Sequence, residues 1–171
     1  MPVPIGIQLE IPESLDAMLK PRKRQRLMKR VYTLLGTRWG QEYLPKHFDR
    51  RQREYAMQPR AGDRLSGRAF WRSYQGKKKK KYGHTLKLVY TGDSARKAKR
   101  FRVHATGQGK NQGATVTVPT PTLNFKPGDL DMASEVRQVT PAERKSLVAF
   151  AEKTLVRITR ELTGRRRVRI H

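Results

Sequence analysis

The stretch that decides the fold is Phe101-Arg-Val-His-Ala-Thr-Gly-Gln-Gly-Lys-Asn-Gln-Gly-Ala-Thr-Val-Thr-Val118. Apolar and polar residues alternate over Phe101–Thr106 and again over Ala114–Val118, the period-two pattern of half-buried strands. The turn between them, Gly107 to Gly113, is rich in Gly, Asn and Gln and closes a hairpin with a loose tip. It is no phosphate-binding loop, because it lacks the GxxxxGK[ST] spacing and joins two strands where such a loop precedes a helix. Upstream, Thr85-Leu-Lys-Leu-Val-Tyr-Thr91 reads as a further strand stopped by Gly92-Asp93, and Ile7, Leu9 and Ile11 mark a short one ended by Pro12.

Helical periodicity lies on either side. From Arg22 to about Tyr43, Met28, Tyr32, Leu35, Trp39 and Tyr43 fall four, three, four and four apart, one stripe of an α-helix opened by Pro21 and ended by Pro45. Its other face is almost all Lys and Arg, and Gly36 and Gly40 mark a kink or a close approach by a neighbouring element. After an irregular segment around Leu123-Asn124-Phe125, Thr140, Pro141 and Glu143 spell a capping box. They open a helix whose stripe is Leu147, Ala151, Leu155, Ile158 and Leu162, with Gly164 at its stop.

These elements predict an α+β fold, two long helices packed on a small, mostly antiparallel sheet. Residues 1–164 form one domain of that kind and residues 165–171 a basic tail. Residues 49–82 fit neither pattern. They hold few aliphatics, several aromatics and many charges, and read as an extended basic arm with short helical pieces, a length of irregular chain that is usually functional.

Charge bounds the partner. Thirty-nine Lys and Arg stand against 14 Asp and Glu, a formal net charge of +25. Such a chain repels itself and acts against something negative. The cations cluster over Lys20–Arg30, at Lys77, Lys78, Lys79, Lys80 and Lys81, over Arg96–Arg102, and at Arg165, Arg166, Arg167 and Arg169. The lysine run and the tail are the expected contacts to DNA or another anionic partner, by backbone and not by sequence, since nothing here spells a base-reading signature. Tyr55, Phe70, Trp71, Tyr74 and Tyr82 interleave with these charges and are the expected hook of an inter-subunit arm.

Chemistry has little to stand on. Cysteine is absent, and His47, His84, His104 and His171 lack metal-ligand spacing, so neither a metal nor a cofactor is expected. Glu10, Glu13 and Asp16 near the start and Asp129, Asp131 and Glu135 near the end read as caps and charge partners, not as hydrolase carboxylates, and no enzyme is expected. No apolar run approaches the roughly 20 residues a membrane span needs, and the N-terminus has no secretory pattern, so synthesis in the cytoplasm is expected.

Trp39…Tyr43-Leu-Pro-Lys-His-Phe48, Tyr55…Pro59-Arg60, Lys80-Lys-Tyr-Gly-His84, Leu88-Val-Tyr-Thr-Gly92, Leu123-Asn-Phe125, Asp131-Met132 and Glu135 follow one another in that order. This order resembles the small neck or tail-completion proteins of tailed bacteriophages and prophages, the virion morphogenesis proteins, over roughly residues 25 to 160. The five-lysine run and the Arg-rich tail exceed that pattern. The resemblance implies a structural protein of the virion without catalytic residues. It would form a ring, commonly six-fold, between the portal or connector and the tail tube or tail terminator, with DNA passing through its lumen. Six such chains would carry about 150 positive charges, six times +25, which must be offset by DNA, acidic neighbours or ions. The competing expectation is a nucleic-acid-binding protein without sequence specificity, such as a ribosome-associated or DNA-packaging module.

Overall fold

The helical stripes and the Phe101–Val118 hairpin fold as their periodicity predicts. A computed structural model describes residues 2–5, 20–89, 91–106, 113–119 and 130–164. The architecture is α+β, helices predominating over a small antiparallel sheet. The chain divides into two compact units, one of residues 2–39, 102–117 and 141–171, the other of residues 40–101 and 118–140.

The first unit holds the sheet and both long helices. Its strands are β1 (Pro2–Ile5), β2 (Arg102–Thr106) and β3 (Gly113–Thr117), ordered β1-β3-β2 and antiparallel throughout. Val103 stands opposite Val116 and Ala105 opposite Ala114, so the hairpin turns one set of small apolar residues to the same side. Helix α1 (Pro21–Arg38) lies against that side. The contact is close at Gly36, where a Cβ would stand 2.6 Å from Val103 Cγ1 and 3.2 Å from Ala114 Cβ. Helix α6 (Pro141–Gly164) packs on α1. Leu27, Met28, Val31, Tyr32 and Leu35 of α1 are buried, as are Leu147, Ala151, Leu155 and Ile158 of α6. Arg38 rests over the Phe150 ring at 4.5 Å, and Arg30 meets Glu161 at 3.6 Å. β1 is an edge strand, and prolines occupy its positions 2 and 4. The strand expected at Ile7–Ile11 lies outside the described residues, as do the hairpin tip, Leu123-Asn124-Phe125 and the 165–171 tail.

The second unit is built from short helices. After α1 the path tightens through a π-helical turn (Trp39–Tyr43) into 3-10 turns at Leu44–Phe48 and Arg50–Glu54. Pro45 opens the first of these turns instead of ending α1. A third 3-10 turn spans Ala61–Arg64, followed by α2 (Gly67–Arg72), α3 (Tyr74–Tyr82), α4 (Asp93–Ala98) and α5 (Met132–Val136). Tyr43, Leu44, Phe48, Tyr55, Leu88, Val89, Ala98, Ala133 and Val136 are buried. Phe101 lies on Gly40, where a Cβ would come within 2.4 Å of the ring.

Two expectations are corrected here. No long basic arm is formed by residues 49–82. They fold into 3-10 turns and α2–α3, with Gln52, Tyr55, Gln75 and Lys78 turned inward. Likewise, Thr85–Val89 is a turn and not a strand, with Val89 N–H donating to the Leu86 carbonyl. The physical reason is that side chains take the backbone groups a neighbouring strand would have used. Lys87 N–H donates to Gln52 Oε1 at 2.9 Å, and Lys78 Nζ donates to the Leu86 carbonyl.

Candidate anion-binding face

Helices α2 and α3 form a tight pair, joined at Ser73. The Ser73 hydroxyl donates to the Phe70 carbonyl at 2.6 Å and accepts the Gly76 N–H at 3.2 Å, so one side chain closes α2 and caps α3. Gly76 is the point of closest approach. A Cβ there would stand 2.1 Å from the Phe70 carbonyl oxygen. At the other end Gly83 takes φ +75, and its N–H donates to the Lys79 carbonyl at 2.9 Å.

Five lysines in one short helix repel one another, yet their place in it is favourable. Lys79, Lys80 and Lys81 fall in the last turn, at the negative end of the helix dipole. The inner side is tied down by neutral and paired groups. Gln75 donates to Asp63 Oδ1 at 2.7 Å, and Asp63 also meets Lys87 at 3.1 Å. Lys78 is only 4 % exposed, and its ammonium donates to the Leu86 carbonyl. Burial, helped by repulsion from Arg60, lowers its pKa to about 8. Beside it His84 is held below the usual imidazole range by burial and then by the Lys78 charge. His84 Nδ1 is buried without a hydrogen-bond partner among the described residues.

The outer side differs. Lys77, Lys79, Lys80 and Lys81 are exposed, and none forms an ion pair among the described residues. Lys79 Nζ lies 5.7 Å from the Trp71 ring and 5.9 Å from the Phe70 ring, and the two rings meet edge to face at 5.3 Å. Trp71 and Tyr74 are 52 % and 64 % exposed. At Lys79 an exposed ammonium group therefore meets a large exposed ring, and Lys77, Lys80 and Lys81 are exposed on the same helix.

The structure sorts the residues expected at the site. Four of the five lysines are exposed, Lys77, Lys80 and Lys81 along one side of α3 and Lys79 round the helix beside Trp71, and Lys78 is turned inward. Of the expected hook, Trp71 and Tyr74 are presented outward and Phe70 is half-buried below them. Tyr82 is half-buried with its ring at 6.3 Å from His84. Tyr55 is buried, stacked on His47 at 3.8 Å, and serves the interior. Arg165, Arg166, Arg167 and Arg169 lie outside the described residues.

The sequence reading missed the polar framework behind the face. Arg60 forms two bonds to the fully buried Glu135, Nη2 to Oε2 at 2.7 Å and Nη1 to Oε1 at 3.0 Å, and Gln58 N–H donates to Oε1 at 2.7 Å. His47 is buried next to this pair, and desolvation lowers its pKa to about 4. Asp131 accepts the Ser134 N–H at 3.1 Å and caps α5. Glu135 and Asp131 thus act as ion-pair partner and cap, the roles their sequence context suggested. The bonds to Glu135 join residues more than 70 apart, and no local pattern announces which partners it takes.

A half-open cavity of about 430 Å³ is lined mainly by Leu44, Pro45, Phe48, Ala95, Ala98 and Phe101. Among the described residues no three His, Asp or Glu side chains converge to hold a metal ion. No described helix is long and apolar enough to cross a membrane. Comparison with protein families, curated proteins and solved structures finds no match to this chain.

Proposed function

We propose that the chain is a structural component of a tailed-phage neck, a head–tail connector or tail-completion subunit that forms a ring around the DNA conduit. The order of short motifs between residues 25 and 160 supplies the reading. The observation that carries it is the α2–α3 face. Its inner side chains are committed to the protein's own framework, while Trp71, Tyr74 and four lysines without an ion pair among the described residues are exposed. Such a face suits a partner, because large exposed rings are costly to leave in solvent and productive at an interface, and the solvated charges beside them attract an anionic one. Behind it, Asp63 is engaged by Gln75 and Lys87, and Glu135 by Arg60. This reading assigns the chain no turnover and places it in the virion, at the junction of head and tail.

A closed ring uses heterologous contacts, in which one patch of a subunit meets a different patch of the next. Mass by light scattering across a range of salt tests the reading. The expected result is a discrete species of about six copies once added salt screens the charge. The net charge of +25 favours a second reading, a nucleic-acid-binding module without sequence specificity. A chain that stays monomeric or dimeric at every salt concentration, with or without duplex DNA, would replace the neck reading with that one.

A further inference from the structure

We propose that the outward face of α3, formed by Lys77, Lys79, Lys80 and Lys81 beside Trp71, binds the phosphate backbone of double-stranded DNA, with Lys78 as its internal anchor and not a fifth contact. The inference deepens the neck reading and rests on it for the polyanion at hand, the DNA a neck encloses.

Charge isolation is the first argument. Between Asp63 and Asp93 the sequence carries nine Lys or Arg and no Asp or Glu. Elsewhere in the same unit several cations are neutralised by carboxylates close in sequence or space. Arg51 meets Asp49 at 2.6 Å, Lys97 meets Asp93 at 2.7 Å, Lys87 meets Asp63 at 3.1 Å, and Lys46 meets Glu54 at 3.5 Å. Among the described residues the outward lysines of α3 have no such partners, at the place where the sequence is most densely cationic.

Order is the second. A solvated lysine run needs no scaffold, yet this one is capped at Ser73, stopped at Gly83, and tied inward through Gln75 and Lys78. The scaffold holds Lys77, Lys80 and Lys81 on one side of a helix at i, i+3 and i+4, with Cβ atoms about 5–6 Å apart. Lys79 is turned to the Trp71 ring at 5.7 Å. A helical ridge of this kind can follow a groove edge and meet several phosphates at once.

The third argument is the make-up of the run. The forked guanidinium of Arg clamps a carboxylate or a phosphate in one fixed geometry, as Arg60 clamps Glu135 in this molecule. The outward residues of the run are all Lys, compact charges that accept a phosphate from many directions and read no sequence. That suits a conduit through which any DNA sequence passes.

The test is the salt dependence of duplex binding, read by anisotropy of a short labelled DNA with the full chain. Replacing Lys77, Lys79, Lys80 and Lys81 together by Gln should reduce the slope of log affinity against log salt by about 3–4, close to 0.9 per lost phosphate contact. A matched variant with Arg22, Lys23, Arg26 and Lys29 of α1 replaced by Gln removes the same charge from other exposed positions. It should leave the slope within about one of the parent, and equal melting temperatures confirm that both variants fold. Equal loss of slope in the two variants, or none in the first, would overturn the proposal. So would polyglutamate bound as tightly as the duplex by the parent, an outcome that assigns the face to an acidic protein. Light scattering on the same samples keeps the two readings apart, because a ring that forms while the slope is unmoved sinks this proposal and spares the neck.

Discussion

At the scale of residues, Lys78 shows how a charge run can hide its structural member. An ammonium so buried and so near Arg60 loses its proton at about pH 8, whereas in the unfolded chain it holds that proton to about 10.4. Between those values the unfolded state binds more protons, so stability rises with pH across that window. Below pH 8 the cost of keeping the charge inside is present in full. Urea unfolding of the parent against a Lys78→Met variant should show the parent gaining on the order of 1–3 kcal/mol relative to the variant from pH 8 to 10.5. A constant difference would show that the buried amine does not titrate as described. Glu135 is the opposite case. Its charge is matched by Arg60, and removing one member of such a buried pair typically costs about 3–5 kcal/mol because the other is left uncompensated.

At the scale of elements, packing depends on a few close approaches. Replacing Gly36 by Ala would gain up to about 1 kcal/mol of helix propensity. It would also drive a methyl group to within 2.6 Å of Val103 Cγ1. The net effect should be a loss of about 1–2 kcal/mol by denaturant unfolding, as overpacking against two strands outweighs propensity. An unchanged or raised midpoint would mean that α1 is free to move off the hairpin. Gly36 was legible as a close approach, and so were α1, α6 and the hairpin. Their signals are periodic and local, and Met28, Tyr32 and Leu35, or Leu147, Ala151 and Leu155, report one buried face each. The region from Asp49 to Val89 was not legible. Its order comes from Gln52, Gln58, Arg60 and Lys78 bonding to backbone or side chains far along the chain, which leaves polar residues inside and breaks the apolar code. Leu88 and Val89 are buried as a strand would bury them, but a turn delivers them there. The sequence marked the lysines and aromatics as neighbours along the chain. It could not show that Lys79 meets the Trp71 ring, or that Lys78 and Tyr55 belong to the interior.

At the scale of the whole molecule, a net charge of +25 sets the conditions for stability as well as partnership. Self-repulsion opposes the compact state and salt relieves it. Raising sodium chloride from low to moderate concentration should therefore raise the melting temperature, roughly 2–4 °C for each kcal/mol of relief in a chain of this size. A short duplex should raise it further by binding the folded state. A melting temperature that is flat or falling with salt would show that the charges are already balanced within the fold. Assembly meets a different constraint at the sheet. Proline has no N–H to donate, so Pro2 and Pro4 remove alternate donors from the rim of β1. No strand of a neighbouring copy can complete a ladder there. That border is therefore guarded against growth into a fibril, and copies that meet along it must do so through side chains, which disassemble and reassemble, and not through a shared backbone seam.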